Sequence, residues 1–446
     1  MRGNGDSWRK YRWHWKCAEK TVLTEKLIHY FRQIPDYRCG REKRHDLGEM
    51  LVCVTLGFLC GRTTIRRSLK WCKTHLEELR KHMNLKYGIA SPSTITRMLN
   101  GIDEELALYA FMEWIGEIVE SRNTHLAIDG KALCGETEKT KGETTPMLLN
   151  VVETVRGLIL AQLPVDSKTN EITAIPELLK LLDISGSIVT IDAVGTQTAI
   201  MEQIHEQGGH FVLTVKKNQP EAYEEIHTFM DKLGAEDLKR KKGEAMDPGM
   251  KEFLEKYEEI SQMEKNRDRN EYRTCQICKD ASNLTKSQKE WPHVQSIGRI
   301  KQVRIPKEKD SQGNDVTPSK EEFLEKGSRR IPAPSAGEGA GKDVQCTALI
   351  SDLILTAEEL GSIKRMHWSI ENRLHHVLDD TFREDRSPAK KSRNNLSLIR
   401  KYAYNILRLA MYETGLANIM TEMMDCFCDN AALRERYVFQ GIASLY

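Results

Sequence analysis

The sequence predicts an α/β protein with a mixed sheet and a separate helical domain at the N-terminus. Apolar residues recur at helical spacing in residues 1–120, whereas residues 124–215 alternate short apolar strands with two helices. Helical spacing returns from residue 356 onward. Strands that alternate with helices are typical of sheets that contain parallel strands. We therefore expect a helical domain followed by an α/β domain.

The length and composition favour a multidomain protein that is not inserted in a membrane. A chain of 446 residues suggests two or three domains, and 39% hydrophobic residues suffice for a core. No apolar run approaches the roughly 18 residues that a transmembrane helix requires. The first residues lack the apolar segment of a signal peptide. The 11 cysteines are scattered, which favours reduced thiols. We expect a cytoplasmic protein.

Residues 1–120 form the predicted helical domain. Apolar residues are spaced as in helices at residues 21–33 and 47–59, and Ser91 with Pro92 starts a further helix. The formal net charge is only +2, but the first hundred residues contain 21 Lys and Arg against 9 Asp and Glu. This excess suits a DNA-binding domain of the helix-turn-helix kind. A helical accessory domain without base contacts is the alternative.

Five strands and two helices are predicted between residues 121 and 218. The strands span residues 124–129, 148–155, 158–164, 188–192 and 211–215, and the helices span residues 172–182 and 196–207. A tight turn at residues 156–157 predicts that the second and third strands form a hairpin. The first and fourth strands each end in an aspartate, Asp129 and Asp192. This segment is the predicted first part of the α/β domain.

Residues 219–345 interrupt the predicted domain. They are rich in Lys, Glu and Asp and show little periodicity, apart from a strand predicted at residues 295–305. The Pro, Gly, Ser, Lys and Glu content of residues 307–341 predicts a mobile loop. The second part of the α/β domain is predicted in residues 346–446. It contains a strand at residues 346–352 and helices at residues 356–378 and 395–412.

Asp129 and Asp192 are the first candidates for a catalytic site. If their strands are parallel neighbours, both carboxylates emerge at one edge of the sheet. Mg²⁺ prefers oxygen ligands, and two divalent ions about 4 Å apart can activate a nucleophile and stabilise a leaving oxygen in phosphodiester cleavage. Glu371 lies beside the apolar stripe of a predicted helix, from which it can supply a third carboxylate.

Each of these residues has an alternative interpretation. An aspartate at a strand end is often a turn or helix cap, and a glutamate beside an apolar stripe is usually solvated. The spacing of His367, Glu371 and His375 also suits a zinc site. Cys275 and Cys278 suit half of another zinc site. Pattern alone predicts no more than a nuclease-like α/β protein.

Four ordered segments match the pattern of one known family. They are residues 127–131 (AIDGK), residues 168–179 (KTNEITAIPELL), residues 190–193 (TIDA) followed by residues 216–219 (KKNQ), and residues 367–385, which begin HWSIEN and end FRED. Residues 35–36 and 94–99 match its associated N-terminal domain. The chain thus resembles, over nearly its whole length, the insertion-sequence transposases of the H-repeat-associated type, within the DDE superfamily.

This resemblance implies an RNase H-like fold with residues 219–345 as an insertion. In that fold the first strand carries one aspartate, the fourth strand carries the second, and a late helix carries the glutamate. The matching residues are Asp129, Asp192 and Glu371, which would be catalytic and would bind two Mg²⁺ or Mn²⁺ ions. The implied reaction is hydrolysis at a transposon end, followed by attack of the freed 3′-hydroxyl on target DNA.

The resemblance also implies partners and a location. The partner would be double-stranded DNA, both transposon ends and target, held by a homodimer in the synaptic complex. No membrane partner is expected, and the protein would be cytoplasmic and nucleoid-associated. The residues expected to contact DNA are Lys131, Lys216, Lys217, Asn218, Gln219, Arg365, Asn372 and Arg383. A solvated surface position is the alternative for each cation, and turn capping is the alternative for Asn218 and Gln219.

The sequence departs from the family near Glu371. Lys364 and His367 stand where related transposases have Tyr and Arg. His376 stands where the family has Trp, and Leu378 stands where related transposases have Lys. These departures bear on DNA contacts of the helix rather than on the three acids. Two other functions therefore stay open: a catalytically decayed DNA-binding protein, and a simple RNase H-like metal-dependent nuclease.

Overall fold

The computed structural model describes residues 24–132, 147–165, 171–265, 269–284, 291, 293–306, 308–309, 315–316, 344–387 and 391–445. The chain divides into two compact units: a helical unit of residues 1–120 with 377–446, and a sheet unit of residues 121–376. The predicted loop at residues 307–341 lies outside the described residues, except for two short strands that pair with each other. None of the described helices is long and apolar enough to cross a membrane.

Helices and strands are numbered in chain order. The helices are α1 (Leu27–Gln33), α2 (Leu47–Leu59), α3 (Ile65–Thr74), α4 (Leu76–Leu79), α5 (Pro92–Gly101), α6 (Glu104–Gly116), α7 (Glu171–Lys180), α8 (Thr198–Glu206), α9 (Pro220–Lys242), α10 (Lys251–Glu255), α11 (Ala357–Ile370), α12 (Arg393–Thr414), α13 (Met420–Asp429) and α14 (Ala431–Arg434). The strands are β1 (His125–Ala132), β2 (Met147–Glu153), β3 (Leu158–Val165), β4 (Ile188–Ile191), β5 (His210–Val215), β6 (Tyr257–Lys265), β7 (Arg269–Cys278), β8 (Ser296–Pro306), β9 (Glu308–Lys309), β10 (Asp315–Val316) and β11 (Val344–Ser351).

A nine-stranded mixed sheet forms the sheet unit, in the order β3-β2-β1-β4-β5-β11-β8-β7-β6. All five strands predicted in residues 124–215 are present, and β2 and β3 form the predicted hairpin. Strand β1 is antiparallel to β2 and parallel to β4, and β4 is parallel to β5. The central β1 buries Leu126, Ala127 and Ile128 in succession, as expected for a strand covered on both faces.

Helix α11 lies across this sheet. A capping box starts it: the Thr356 hydroxyl accepts from the backbone of Glu359, whose carboxylate accepts in return from the backbone of Thr356. Its buried Leu360 and Ile363 pack with Val212 and other apolar residues of β5, β7, β8 and β11. The helix continues toward β1 and β4, which it also contacts. This packing carries the end of α11 to the place where β4 ends beside β1. Strand β1 itself continues to Ala132, so the prediction that it ends at Asp129 is wrong.

The region predicted as an insertion extends the same sheet. Strands β6, β7 and β8 form an antiparallel meander, and β8 pairs with β11 along eight residues. The low periodicity inferred for residues 219–242 is wrong, because α9 buries Ala222, Ile226, Phe229 and Leu233 at intervals of three or four residues. The many charged residues between these positions obscured the pattern.

Cys275 and Cys278 do not form half of a zinc site. They are three residues apart on β7, so their side chains point to opposite faces of the sheet. The Cys275 thiol packs against Gly361 of α11, whereas Cys278 Sγ faces the carbonyl oxygen of Phe253 at 3.9 Å. Burial raises the pKa of both thiols to about 11, which disfavours the thiolate that a metal needs.

The helical unit has its own core. Every residue of α2 is buried, and α1, α3 and α12 pack against it. Phe31, Phe111 and Trp114 surround the ring of Tyr402, with centroids 4.7–4.8 Å apart. Aromatic contacts of this kind add to the stabilisation from burial. The N-terminal and C-terminal segments of this unit therefore share one hydrophobic core.

Residues 377–446 belong to the helical unit, whereas the sequence grouped residues 346–446 with the sheet. The reason lies in α12, whose buried residues include Tyr402, Ile406 and Leu407 and which packs on α2 and α6. Asn395 at its start donates hydrogen bonds to the carbonyl oxygens of Leu99 and Ile102. Helical periodicity predicts that such a face is buried but not which partner buries it.

Candidate metal centre

Asp129 and Asp192 emerge side by side at one edge of the sheet. Ile128 of β1 is in register with Ile191 of β4, and the two strands are parallel. The next residue along each strand is an aspartate, so both carboxylates leave the sheet at the same level. Asp192 also precedes a single 3₁₀ turn, Ala193–Gly195, without capping it. The alternative interpretation of Asp192 as a helix cap is therefore not supported.

Asp129 is surrounded by negative charge. Its side chain is 30% exposed, and its Oδ1 accepts a hydrogen bond of 3.0 Å from the backbone nitrogen of Gly130. Burial raises the pKa of Asp129 to about 7, against the lowering effect of that hydrogen bond, and the charges of Asp192, Glu371 and Glu171 raise it further. A carboxyl group in this setting gains strongly from a divalent cation.

Asp192 is held as a carboxylate by a lysine. Lys216, the residue after β5, places its Nζ 2.6 Å from Asp192 Oδ2. Burial acts to raise the pKa of Asp192, but the hydrogen bond from Lys216 and the charges of Lys216 and Lys364 outweigh it, so the pKa lies below its usual value. Asp192 is therefore ionised at neutral pH and available as an oxygen ligand.

Glu371 is positioned by a change of helix type. Helix α11 ends at Ile370 and continues as a π-helical turn, Glu371–His375, of a kind often found at functional sites. The Glu371 side chain is 73% exposed, and its Oε2 lies 3.2 Å from Nδ1 of His375. The same His375 nitrogen is 3.7 Å from Oδ2 of Asp129. His375 thus lies between the two carboxylates.

These residues fit a divalent ion. Asp129, Glu371 and His375 each offer one ligand atom, and the three atoms lie within 4.8 Å of one another. An ion coordinated at about 2.0–2.4 Å can contact donors at such separations. The donors are two carboxylates and one imidazole, and Asp192 is adjacent to Asp129. The carboxylates supply the oxygen ligands that hard divalent cations prefer, whereas the imidazole suits softer divalent ions.

His367 does not belong to this group, so the zinc column considered from the sequence does not form. Its Nδ1 is 3.0 Å from the hydroxyl of Thr190 inside the sheet unit, and Nε2 of His125 is 3.1 Å from the same hydroxyl. Burial lowers the pKa of both histidines to about 3, so both are neutral. Thr190 thereby joins α11 to β4 and β1 beneath the site.

Lys364 also faces inward. Its Nζ donates a 2.8 Å hydrogen bond to the hydroxyl of Thr214 on β5, and burial lowers its pKa to about 8. The nearby charges of Asp192 and Asp129 act in the opposite direction and favour its charged form. Lys364 and His367 thus anchor α11 on the sheet, rather than presenting side chains to solvent as DNA contacts would.

The residues expected to contact DNA differ in their surroundings. Lys131 is buried, Lys216 pairs with Asp192, and Arg365 Nη2 is 2.8 Å from Glu264 Oε1. Two others bond to the backbone: Asn218 donates to the carbonyl of Ala193, and Gln219 donates to the carbonyl of Thr196. Lys216, Asn218 and Arg365 are exposed despite these contacts, as are Lys217 and Asn372 of the sheet unit and Arg383 of the helical unit.

Three residues near the acids were not assigned to the site from the sequence: Glu171, Lys364 and His375. His375 is a partner of both Glu371 and Asp129. Glu171 was noted only within a family motif, because a glutamate in a first helical turn is common for electrostatic reasons. The spacing of His375 to Glu371 was visible and had been weighed for zinc. The spacing of residues along the helix could not predict that Asp129 lies beside Glu371 and His375.

Comparisons with known proteins identify a family and relatives of this chain. The family description "DDE_Tnp_1-associated" matches residues 28–115, and "Transposase DDE domain" matches residues 120–406. The "H repeat-associated putative transposase" YhhI of Escherichia coli K12 is 28% identical over 86% of this chain and 90% of its own length. YbfD of the same strain, which has the same description, is 32% identical over 44% of this chain and 78% of its own length.

One solved structure, a piggyBac transposase synaptic complex with hairpin DNA, aligns with 93% of this chain and 79% of its own, at a TM-score of 0.38 and 10% identity. The family match to the DDE domain covers well over half of the chain and contains all three acids of the sheet edge. The chain belongs to the family of proteins with a transposase DDE domain.

Proposed function

We propose that this protein is an active DDE transposase, which cleaves double-stranded DNA at transposon ends and joins the freed ends to target DNA. The proposal rests on one observation above the others. Two aspartates from parallel neighbouring strands and a glutamate from a π-helical turn converge on one sheet edge. Asp129, Asp192 and Glu371 are its catalytic residues and hold two divalent ions, Mg²⁺ or Mn²⁺.

Both proposed steps are displacements at phosphorus. In cleavage, a water oxygen bonds to phosphorus and the bond from phosphorus to the 3′ oxygen breaks, leaving a 3′-hydroxyl. In joining, that 3′ oxygen bonds to a target phosphorus and displaces the target's own 3′ oxygen. When bound, the ions supply an activated nucleophile and stabilise the leaving oxygen. One site can serve both steps because the bonding changes are the same.

The protein's own residues orient the ligands. Lys216 fixes Asp192 through their hydrogen bond of 2.6 Å, and His375 fixes Glu371 through its contact of 3.2 Å. Lys217 and Asn372 are exposed and are proposed to meet the DNA backbone. Lys216 and Arg365 would do so only by exchanging their present carboxylate partners for phosphate. Lys131, Asn218, Gln219 and Arg383 are retained as candidate contacts.

The fold supports the same proposal. Strands β3-β2-β1-β4-β5 with α7 and α8 constitute the proposed RNase H-like core, and α11 supplies its late helix. Strands β6, β7 and β8 with α9 form the proposed insertion. The helical unit is proposed to bind DNA through α3. The exposed residues of α3 include Arg66, Arg67, Lys70 and Lys73. We also propose, by analogy with the family, a homodimer that holds two ends.

The test is cleavage of labelled DNA that carries the element's own ends, in Mg²⁺ or Mn²⁺. Wild type is compared with Asp129→Asn, Asp192→Asn and Glu371→Gln. We expect cutting by wild type and a loss of at least about a hundredfold in each variant, the scale of losing one group that stabilises transition-state charge. Binding of the ends, followed by gel shift, should survive in all three variants.

The outcomes separate the competing functions. End binding without cutting by any version, in either metal, would identify a decayed DNA-binding protein. Cutting without end preference, and without joined products on a second DNA, would identify a simple nuclease. Equal cutting by Asp129→Asn and wild type would exclude the proposed site.

A further inference from the structure

An exposed tyrosine on the helical unit has two cations over its ring. Arg44 ends the 3₁₀ segment Gly40–Arg44, and Lys86 precedes Tyr87 in the loop between α4 and α5. The guanidinium carbon of Arg44 lies 5.1 Å from the centroid of the Tyr87 ring, and Nζ of Lys86 lies 5.3 Å from it. Tyr87 is nevertheless 49% exposed, and both cations are exposed. These three residues form the Tyr87 patch.

A buried carboxylate holds the turn that carries Lys86 and Tyr87. The two carboxylate oxygens of Glu49 accept hydrogen bonds of 2.9 and 3.2 Å from the backbone nitrogens of Asn84 and Leu85. Leu85 is buried and has a φ of 41°, in the left-handed region that is uncommon for residues other than glycine. Such conformations persist where the surrounding structure enforces them, and they are frequent at functional sites. The turn therefore presents Lys86 and Tyr87 to solvent on a fixed backbone.

The cations of the Tyr87 patch differ from other cations that lie over aromatic rings in the helical unit. In the described part of this unit, the other arginines over rings each have a carboxylate oxygen at 3.9 Å or less: Arg400 with Glu384, Arg434 with Glu78 and Arg436 with Glu413. Arg44 and Lys86 have no ion pair among the described residues. Two adjacent cations without a carboxylate favour a ligand that carries negative charge.

The tyrosine ring narrows the class of ligand. Cations alone suit the phosphates of any DNA. An exposed ring adds a surface on which a base can stack, but the bases of a duplex are already stacked on one another and only unpaired bases can reach the ring. Tyr109 on α6 shows that exposure alone does not create such a surface: it is 48% exposed, and its hydroxyl donates a 3.2 Å hydrogen bond to Glu105.

We propose that the Tyr87 patch binds single-stranded DNA. An unpaired base stacks on the Tyr87 ring, and Arg44 and Lys86 turn from the ring to the phosphates beside that base. This inference rests on the proposed function, because it assigns a further DNA contact to the same protein. It differs from the contact proposed for α3, whose exposed cations suit the phosphates of a duplex and include no aromatic ring.

Binding of labelled oligo(dT), a single strand that does not pair with itself, tests the role of the ring. Fluorescence anisotropy is measured in chelator, which prevents cleavage, for full-length wild type, Tyr87→Ala, Tyr87→Phe and Tyr109→Ala. We expect Tyr87→Ala to bind at least about fivefold more weakly, the lower end of what stacking of one base contributes. Tyr87→Phe keeps the ring and should bind as wild type does. Tyr109→Ala removes a ring of nearly equal exposure and is the matched control.

A fully paired duplex of the same length tests the preference for unpaired bases. Tyr87→Ala should bind this duplex as wild type does, because its bases cannot reach the ring.

Salt dependence tests the role of the charges. Arg44→Gln should lower the slope of log affinity for oligo(dT) against log salt by about 0.7 for each phosphate that it no longer neutralises. Arg436→Gln is the matched control, because Arg436 also lies 5.1 Å from the centroid of a tyrosine ring but pairs with Glu413. The slope of Arg436→Gln should equal that of wild type.

The outcomes distinguish this inference from the proposed function. Equal affinity of Tyr87→Ala and wild type for oligo(dT) would overturn the inference and leave the proposed cleavage reaction intact. Equal weakening of oligo(dT) and duplex binding would also overturn it, because the ring would then not be a site for unpaired bases. Wild type that binds neither DNA would overturn both. If Tyr87→Ala does not fold, an unchanged slope in Arg44→Gln overturns the inference, and a lower slope for oligo(dT) but not for the duplex supports it.

Discussion

Asp129 combines partial burial with three acidic neighbours, and this combination makes the metal-free site sensitive to pH. Its pKa of about 7 is well above the ordinary value of 3.8, mainly because of burial. Between these pH values the folded protein keeps a proton on Asp129 that the unfolded chain has lost. The stability that this proton provides is present below the ordinary pKa and is lost as pH rises through the folded pKa.

Replacing Asp129 with asparagine should therefore stabilise the metal-free protein at alkaline pH. We expect Asp129→Asn to melt at a higher temperature than wild type at pH 8 in chelator, and the difference to shrink at pH 5. Added Mn²⁺ should reverse the order, because only wild type keeps the ligand. Melting curves at both pH values check this. A variant that melts below wild type in chelator at pH 8 would contradict it.

His375 is expected to influence which metal the site prefers. Its Nδ1 faces both Glu371 and Asp129, and imidazole is a better ligand for Mn²⁺ than for Mg²⁺. We expect His375→Gln to weaken Mn²⁺ binding about tenfold to a hundredfold and Mg²⁺ binding less. His376→Gln, at the exposed neighbouring position, is the matched control. Equal losses for the two metals would argue that His375 only orients Glu371.

At the scale of elements, two buried polar contacts with the sheet fix α11 in addition to its apolar packing. Leu360, Ile363 and Ile370 are buried, but apolar contacts allow some sliding. The bonds from Lys364 to Thr214 and from His367 to Thr190 set its position along β5 and β4. That position determines where the π-helical turn begins and hence where Glu371 meets the aspartates.

Thr190 is the residue through which this arrangement can be tested. Thr190→Val keeps the shape but leaves Nδ1 of His367 and Nε2 of His125 without the hydroxyl. We expect a loss of about 1–3 kcal/mol in the free energy of unfolding, measured by urea denaturation. Thr190→Ser keeps the hydroxyl and should lose less. Equal stability of Thr190→Val and wild type would show that these contacts do not hold the helix.

At the scale of the whole molecule, charge is segregated along the chain. The first hundred residues carry 21 Lys and Arg against 9 Asp and Glu, although the whole chain is nearly neutral at +2. In the helical unit, α3 contains no acid, and its exposed cations have no ion pair among the described residues. In the sheet unit, three cations of α9 pair instead with Glu236 or Asp237: Lys239, Arg240 and Lys241. Such a distribution favours DNA binding by α3.

The cations of α3 should therefore contribute to affinity for DNA and to its salt dependence. We expect Arg66→Gln with Lys70→Gln to weaken end binding. The slope of log affinity against log salt should fall by about 0.9 for each phosphate that the protein no longer neutralises. Lys239→Gln with Lys241→Gln removes the same charge from α9 and serves as the control. Gel shifts over a salt series measure both. Equal slopes in the two double variants would exclude α3 as the DNA-binding surface.

The sequence by itself determined the local features of this protein. Short apolar runs located β1 and β4; β1 proved to contain Asp129, and β4 proved to end directly before Asp192. Helical spacing placed Glu371 beside a buried stripe, and four ordered motifs identified the family. These features depend on residues that are close in sequence, whose propensities and periodicity can be recognised without knowing what packs against them.

Only the tertiary structure decided which residues meet. Parallel pairing of β1 with β4 depends on backbone hydrogen bonds between segments about sixty residues apart. The spacing of His367 and His375 places both on one side of a helix. In the folded protein, however, His367 contacts Thr190 and His375 lies near Asp129. Glu171 reached Gly130 through the packing of α7. Such contacts are non-local, so sequence periodicity predicts the surface that is buried but not its partner.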